Sequence, residues 1–222
     1  MKKCILLIGV LAVFWGSNAW GGTGFTVRGG TLGIGLEVTQ SIVPKVNARI
    51  GYNFFKYDYE TTEDNIRYEF DLRLRSANFL ADFHPLSGFM AGFRLSGGFL
   101  YSKNRVDMKA LPSGTYEIGG QTFTAAEVGT LTGKVDLKDW PIYLGIGWGN
   151  ASSGFLGLAL DIGVAFSGSP AVDLATSGGD LSGDADFQRR LVQEEADLED
   201  EIKAFNYYPN LSLGLSFHIP GL

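Results

Sequence analysis

Apolar positions alternate with small or polar ones along most of this chain, the two-residue period of a β-strand whose faces meet different surroundings. The last stretch shows it most cleanly: Leu211, Leu213, Leu215, Phe217 and Ile219 interleave with Ser212, Gly214, Ser216 and His218. Near the other end, Leu32, Ile34, Leu36 and Val38 oppose Thr31, Gly33, Gly35, Glu37 and Thr39, and Val43-Pro44-Lys45 supplies a turn. Residues 46–59 repeat the pattern, with Val46, Ala48, Ile50, Tyr52 and Phe54 opposite Asn47, Arg49, Gly51 and Asn53, ahead of a polar loop at 61–65. In residues 66–83 the apolar set is first Ile66, Tyr68, Phe70, Leu72 and Leu74, then Ala77, Phe79, Ala81 and Phe83. That change of parity near Arg75-Ser76 predicts a β-bulge, because one extra residue restores the register.

A tight turn at 84–88 leads to a strand over 89–105. The long segment 107–133 predicts a small projecting hairpin at 116–124, turning on Gly119-Gly120. Strands follow at 134–148, with Pro141 at a bulge or entry point, and at 155–167, joined by a turn at 150–153. These and the C-terminal stretch make seven strands. Between 184 and 205 the period becomes helical: Phe187, Leu191, Leu198, Ile202 and Phe205 form an apolar stripe, and Glu194, Glu195, Asp197, Glu199, Asp200 and Glu201 an acidic side. A solvated helix packing its stripe on loops or a barrel rim is the plain expectation. A lid, a partner-binding helix and a divalent-cation site are the alternatives.

Ser212-x-Gly214-x-x-Phe217-x-Ile219 resembles the closing-strand signal of bacterial outer-membrane β-barrels. The Gly33-x-Gly35 strand, a short turn and Arg49-x-Gly51-Tyr52 are similar to a hairpin common in the eight-stranded opacity, OmpA and OmpW-like barrels, and the likeness extends over roughly residues 22–219. It implies an all-β fold, an antiparallel up-and-down transmembrane β-barrel of eight strands with one external-loop α-helix. It also implies recognition by the barrel-assembly machinery through the C-terminal strand, and outer-membrane lipids and lipopolysaccharide as surroundings. Single-chain bacterial barrels have an even strand number, so the eighth strand is assigned to 24–28 with a turn at Gly29-Gly30. The chain departs from such barrels by continuing through Pro220-Gly221-Leu222 past the usual terminal aromatic residue.

Composition agrees with that class. Lys2-Lys3, an apolar run from Ile5 to Trp15 and Ser17-Asn18-Ala19 predict a signal peptide over 1–19, since the run is far below the roughly 20 residues of a spanning helix. The leader carries off Cys4, the one cysteine, which excludes a disulfide framework from residues 20–222. Without Lys2 and Lys3, sixteen basic residues face 24 acidic ones, a net charge of −8 that argues against nucleic acid as a partner. Glycine, 31 of 222 residues against a usual ~7%, falls largely within strand-like segments, where it clears space in a narrow lumen.

Loop lengths assign the sides, because such barrels have short periplasmic turns and long external loops. The turns at 43–45, 84–88 and 150–153 are therefore periplasmic, and the connections at 61–65, 107–133 and 169–206 external. Aromatic girdles are expected from Tyr57, Tyr59, Tyr68, Tyr101, Trp140, Tyr207 and Tyr208 outside and Phe83, Phe89, Trp148 and Phe217 inside. The inward faces collect Glu37, Arg49, Arg67, Glu69, Asp71, Arg73, Arg75, Asp82, Arg94, Lys134, Asp136, Lys138 and Asp161. Charges of both signs in a lumen just wide enough for side chains predict a seal of ion pairs, with a gated conduit for small solutes as the alternative. The two histidines, His84 and His218, map to the periplasmic end, away from external serines and acids. Neither a catalytic triad nor a metal-ligand cluster nor a cofactor motif is present. The functional expectation is a non-enzymatic barrel with a structural or solute-conducting, porin-like role; an adhesin or receptor barrel binding a host or cell-surface ligand through its loops is the alternative.

Overall fold

The computed structural model describes residues 22–63, 66–137, 139–150 and 156–219, without the side chains of 63, 204, 205 and 219. The expected leader, Lys138, most of the 150–153 turn and the last three residues lie outside the described residues. The strands are β1 (Thr23–Gly30), β2 (Gly33–Val43), β3 (Val46–Glu63), β4 (Ile66–Phe83), β5 (Phe93–Ser102), β6 (Arg105–Ala110), β7 (Thr115–Ile118), β8 (Gln121–Thr124), β9 (Gly129–Asp136), β10 (Ile142–Trp148), β11 (Leu156–Phe166), β12 (Ala171–Gly178) and β13 (Tyr207–Ile219). The helices are α1 (Ala125–Val128) and α2 (Ala185–Glu201).

Eight strands close a barrel. They pair antiparallel in the order β1-β2-β3-β4-β5-β10-β11-β13, and β13 returns to β1 from Thr23↔Ile219 to Gly30↔Ser212. The eighth strand is thus the N-terminal one. Its turn is Thr31-Leu32 rather than Gly29-Gly30, because Gly30 pairs with Gly33. Alternation sorts the faces: Leu211, Leu213, Leu215 and Phe217 are exposed on the outside, whereas Ser212 and Ser216 are buried inside. Leu36, Leu144 and Leu158 likewise stand outward, each more than half exposed, so the barrel's outside is an apolar band.

Five strands continue past one rim, here called the upper rim. β6 prolongs β5 in the same register on β4, from Ser76↔Ser102 to Arg73↔Arg105. β9 runs on into β10 in the same way along β6 and β5, interrupted at 137–141. The predicted single strand at 134–148 is therefore two pieces. Pro141 sits in the interruption, where its missing N–H costs no ladder bond and its carbonyl accepts from the Leu100 amide at 3.0 Å. With β12 beyond β9, the sheet β3-β4-β6-β9-β12 stands above the rim, while β1, β2 and β13 stop at it. The segments read as long loops are in large part this sheet, together with the β7-β8 hairpin, which turns at Gly119-Gly120 as expected.

The β-bulge expected near Arg75-Ser76 is absent. β3 and β4 pair without a break from Val46↔Phe83 to Glu63↔Ile66. Even-numbered β4 residues face inward throughout; what changes is what they meet. Inside the barrel Ser76, Asn78 and Asp82 are buried among polar groups, with Leu80 in a small apolar cluster between them. Above the rim they are apolar, and Ile66 joins Ala110, Tyr116, Ile118, Phe123, Val128, Phe187 and Leu191 in a second core under the hairpin and helix.

Helix α2 starts at Asp184, whose side chain accepts from the amides of Asp186 and Phe187, both at 2.9 Å. Phe187 and Leu191 anchor it, with Phe187 edge-on to Phe123 at 5.0 Å between ring centres. Leu198 and Ile202 are half-buried, and the Phe205 side chain lies outside the described residues. The acidic side is not simply solvated. Glu195 and Glu199 accept from the Leu174 and Val172 amides at 2.7 and 3.0 Å, covering the free edge of β12, and Glu194 accepts from Gly119 at 2.9 Å.

Candidate functional site

Each of six barrel strands sends one charged side chain to the same level of the lumen. Arg28 comes from β1, Glu37 from β2, Arg49 from β3, Asp82 from β4, Arg94 from β5 and Asp161 from β11, all buried. Three guanidiniums balance three carboxylates. Arg28 Nη2 lies 2.8 Å from Glu37 and 2.9 Å from Asp161. Arg49 is central, with Asp82 at 2.9 Å, Asp161 at 3.1 Å and Glu37 at 3.4 Å. Arg94 reaches Asp161 at 2.8 Å. Neutral donors complete the carboxylates: Ser96 Oγ donates to Asp82 at 2.6 Å and Asn78 Nδ2 to Glu37 at 2.9 Å.

Small residues on neighbouring strands make room for these side chains. Arg28 faces Gly35 and Gly214, Glu37 faces Gly51, and Gly147 of β10 lies between Arg94 and Asp161. A Cβ built on Gly147 would meet Arg94 Nε and Asp161 Oδ1, both at 2.8 Å. Above the charges, Leu32, Leu80, Leu100, Tyr143 and Ala165 pack with Tyr208 as an apolar cap. Below them, His84 Nε2 lies 3.3 Å from Asn47 Nδ2, which donates to Asn150 at 3.2 Å. The cavities above and within the charged layer hold about 10 Å³ each, room for about one water. The lumen is filled.

Of the charges expected in the lumen, Glu37, Arg49, Asp82, Arg94 and Asp161 lie together there. Arg67, Glu69, Asp71, Arg73, Arg75, Lys134 and Asp136 do not. They belong to the upper sheet or its root, with odd-numbered β4 residues facing outward, and their pairs are exposed: Arg67–Glu60 at 2.6 Å, Arg73–Asp71 and Lys134–Asp136. For Arg67 to Arg75 the inward placement rests on a bulge that β4 does not have, whereas Lys134 and Asp136 stand on β9 opposite the outward Asp107 and Arg105. Arg28 is the luminal residue that sequence reasoning missed; the alternation of Gly24, Thr26 and Arg28 with Phe25 and Val27 carries its signal.

The upper sheet frames two further features. Its inner face holds an apolar cavity of about 500 Å³ over the barrel cap, lined by Phe55, Leu72, Leu74, Val106, Val135 and Ile202. On β3, Phe55, Tyr57 and Tyr59 stack at 6.4 Å intervals with their rings about half exposed. Tyr57, Tyr59 and Tyr68 thus line the inner face of the extension rather than an outward girdle, and Tyr208 points inward, its hydroxyl donating to Thr31 O at 2.6 Å. Tyr101 and Trp140, 4.8 Å apart, do mark the outside near the upper rim, and Phe89 and Trp148, 6.3 Å apart, the lower one. Both histidines lie at the lower rim, and among the described residues no cluster of three or more potential ligands could hold a metal ion.

No protein-family model matches the chain, and no curated protein matches it. Solved structures do. The crystal structure of CarO2 from Acinetobacter baumannii superposes with a TM-score of 0.59 at 22% identity, covering 89% of this chain and 98% of that one. CarO from the same organism gives 0.59 at 20% identity, covering 91% and 100%. This similarity shows the fold, a closed antiparallel eight-stranded barrel.

Proposed function

We propose that the chain is a non-enzymatic integral outer-membrane β-barrel of a Gram-negative bacterium, with a structural role and a lumen closed to solutes. The carrying observation is the balanced cluster of Arg28, Glu37, Arg49, Asp82, Arg94 and Asp161, beside which the lumen leaves cavities of only about 10 Å³. The apolar outside supports the membrane, because exposed Leu, Ile and Phe on every barrel strand would be a liability in water. The opacity, OmpA and OmpW-like kinship and the cleaved signal peptide belong to the same reading. So does docking to the assembly machinery through Ser212, Gly214, Phe217 and Ile219. Planar-bilayer recording tests the closed lumen: no steady conductance is expected, and stepwise single-channel currents from the wild type would overturn it.

A second reading, a receptor or adhesin, is favoured by the apolar cavity and the exposed Phe55-Tyr57-Tyr59 ladder, both on what becomes the external side. Binding sites favour surfaces carried by rigid scaffolds. Saturable binding to host matrix or cells, lost when 171–204 is replaced by a short linker, would raise this reading above the first.

A further inference from the structure

The outer face of the upper sheet is ordered by charge in rows that run across its strands. Directly paired residues share a face, so Lys56, Arg73, Arg105 and Asp136 form one row across β3, β4, β6 and β9. Just below, Arg75 stands opposite Phe54, and the Lys103 amide donates to Arg75 O at 2.7 Å. Just above, two residues or about 7 Å away, the row is Asp58, Asp71, Asp107, Lys134 and Asp173. The lower rows are cationic and the upper one anionic. Beneath both lies the exposed apolar band of Phe54, Phe99, Ile142 and Leu144, edged by Tyr101 and Trp140.

Where β5 gives way to β6, these cations line an open groove of about 440 Å³, with Arg73, Arg75, Lys103, Arg105 and Lys134 against Asp136 and Asp139. Arg73, Lys103, Arg105 and Lys134 each touch a carboxylate, but the paired side chains are between 24% and 53% exposed. Such pairs are held weakly and exchange partners readily. Arg75 has no ion pair among the described residues.

We propose that this groove binds the phosphate groups of an outer-leaflet glycolipid. The proposal rests on the outer-membrane reading, which brings the apolar band into the bilayer and the cationic rows to headgroup level. A phosphate on an embedded lipid reaches those rows from the membrane side. A soluble polyanion approaching from above meets the carboxylate row first, in a chain whose net charge is −8 once Lys2 and Lys3 leave with the leader. Guanidiniums offer paired N–H donors that fit phosphate oxygens.

The test uses the full mature protein in phosphatidylcholine nanodiscs, titrated with lipid A bearing two phosphates or with the same lipid dephosphorylated, bound lipid being counted by native mass spectrometry. The wild type is expected to retain the phosphorylated form at least about tenfold better. Arg73→Gln/Arg75→Gln/Arg105→Gln should lose most of that preference, each removed cation near an anionic surface weakening binding by a few-fold. Equal retention of the two lipids by the wild type overturns the groove assignment even if the variant does not fold, and so does a folded variant with undiminished preference. Protein that inserts and shows no phosphate dependence refutes the groove alone; protein that fails to insert refutes the membrane reading and the groove with it.

Discussion

Glu195 Oε1 accepts the Leu174 amide proton at 2.7 Å, so a helix carboxylate occupies the place of a missing neighbouring strand. With Glu199 on Val172, it covers the edge of β12. We predict that Glu195→Ala/Glu199→Ala destabilises this edge by about 1 kcal/mol per bond. Hydrogen exchange at Val172 and Leu174 should accelerate while β13 stays protected. Glu195→Gln, which keeps an acceptor oxygen, should restore much of the protection at Leu174; equal exchange in all variants would show that the bonds contribute nothing.

Removing one member of the luminal cluster should be far more damaging. Asp161→Ala leaves three buried guanidiniums facing two carboxylates, and breaking such a buried network typically costs about 3–5 kcal/mol. The urea midpoint for the barrel, read from its band position in unboiled samples, should fall accordingly. Adding Arg94→Ala should recover part of the loss, because charge balance returns. Simple additivity of the two substitutions would argue against a coupled cluster.

The barrel was legible because its two faces meet opposite surroundings, and β13 displays that contrast at every step. The cluster was legible where an isolated charge breaks a run of small inward residues, as Glu37, Arg49 and Asp161 do. Above the rim the pattern inverts. There the inner face turns apolar and the outer face charged, so Arg67 to Arg75 carry the pattern of luminal residues while facing outward. Periodicity records which face is apolar, and the direction of that face depends on a core built by the distant Phe123, Phe187 and Leu191.

The outward face gives a sharper test of the membrane. Leu158, 63% exposed on β11, pairs with Leu215 on β13 inside a wholly apolar patch. Leu158→Arg should cost roughly 2–4 kcal/mol if the position lies near the bilayer midplane. Refolding yield and reversible stability in lipid vesicles report it. An unchanged stability there would mean that this face does not meet hydrocarbon.

His84 supplies a pH dependence. Its ring is 5% exposed in the turn below β4. Nδ1–H donating to Ala91 O at 3.2 Å and Nε2 accepting from Asn47 at 3.3 Å are satisfied together by the neutral ring, a tautomer assigned from this network. Burial is the largest influence and lowers the pKa; the nearby Arg94 and Arg49 act in the same direction, against the Ala91 carbonyl and Asp82. A folded pKa below the unfolded value of about 6.5 means that the folded state resists protonation. The contribution to stability is therefore fully present above about pH 6.5 and is lost as the pH falls through the folded pKa. We predict a His84 Cε1–H titration midpoint below 6.5 by NMR in detergent. Between pH 7.5 and 5 the wild type should lose more stability than His84→Gln. A midpoint above 6.5 would mean that Asp82 and the Ala91 carbonyl outweigh burial, and the expected slope would reverse; a midpoint at 6.5 would leave no slope.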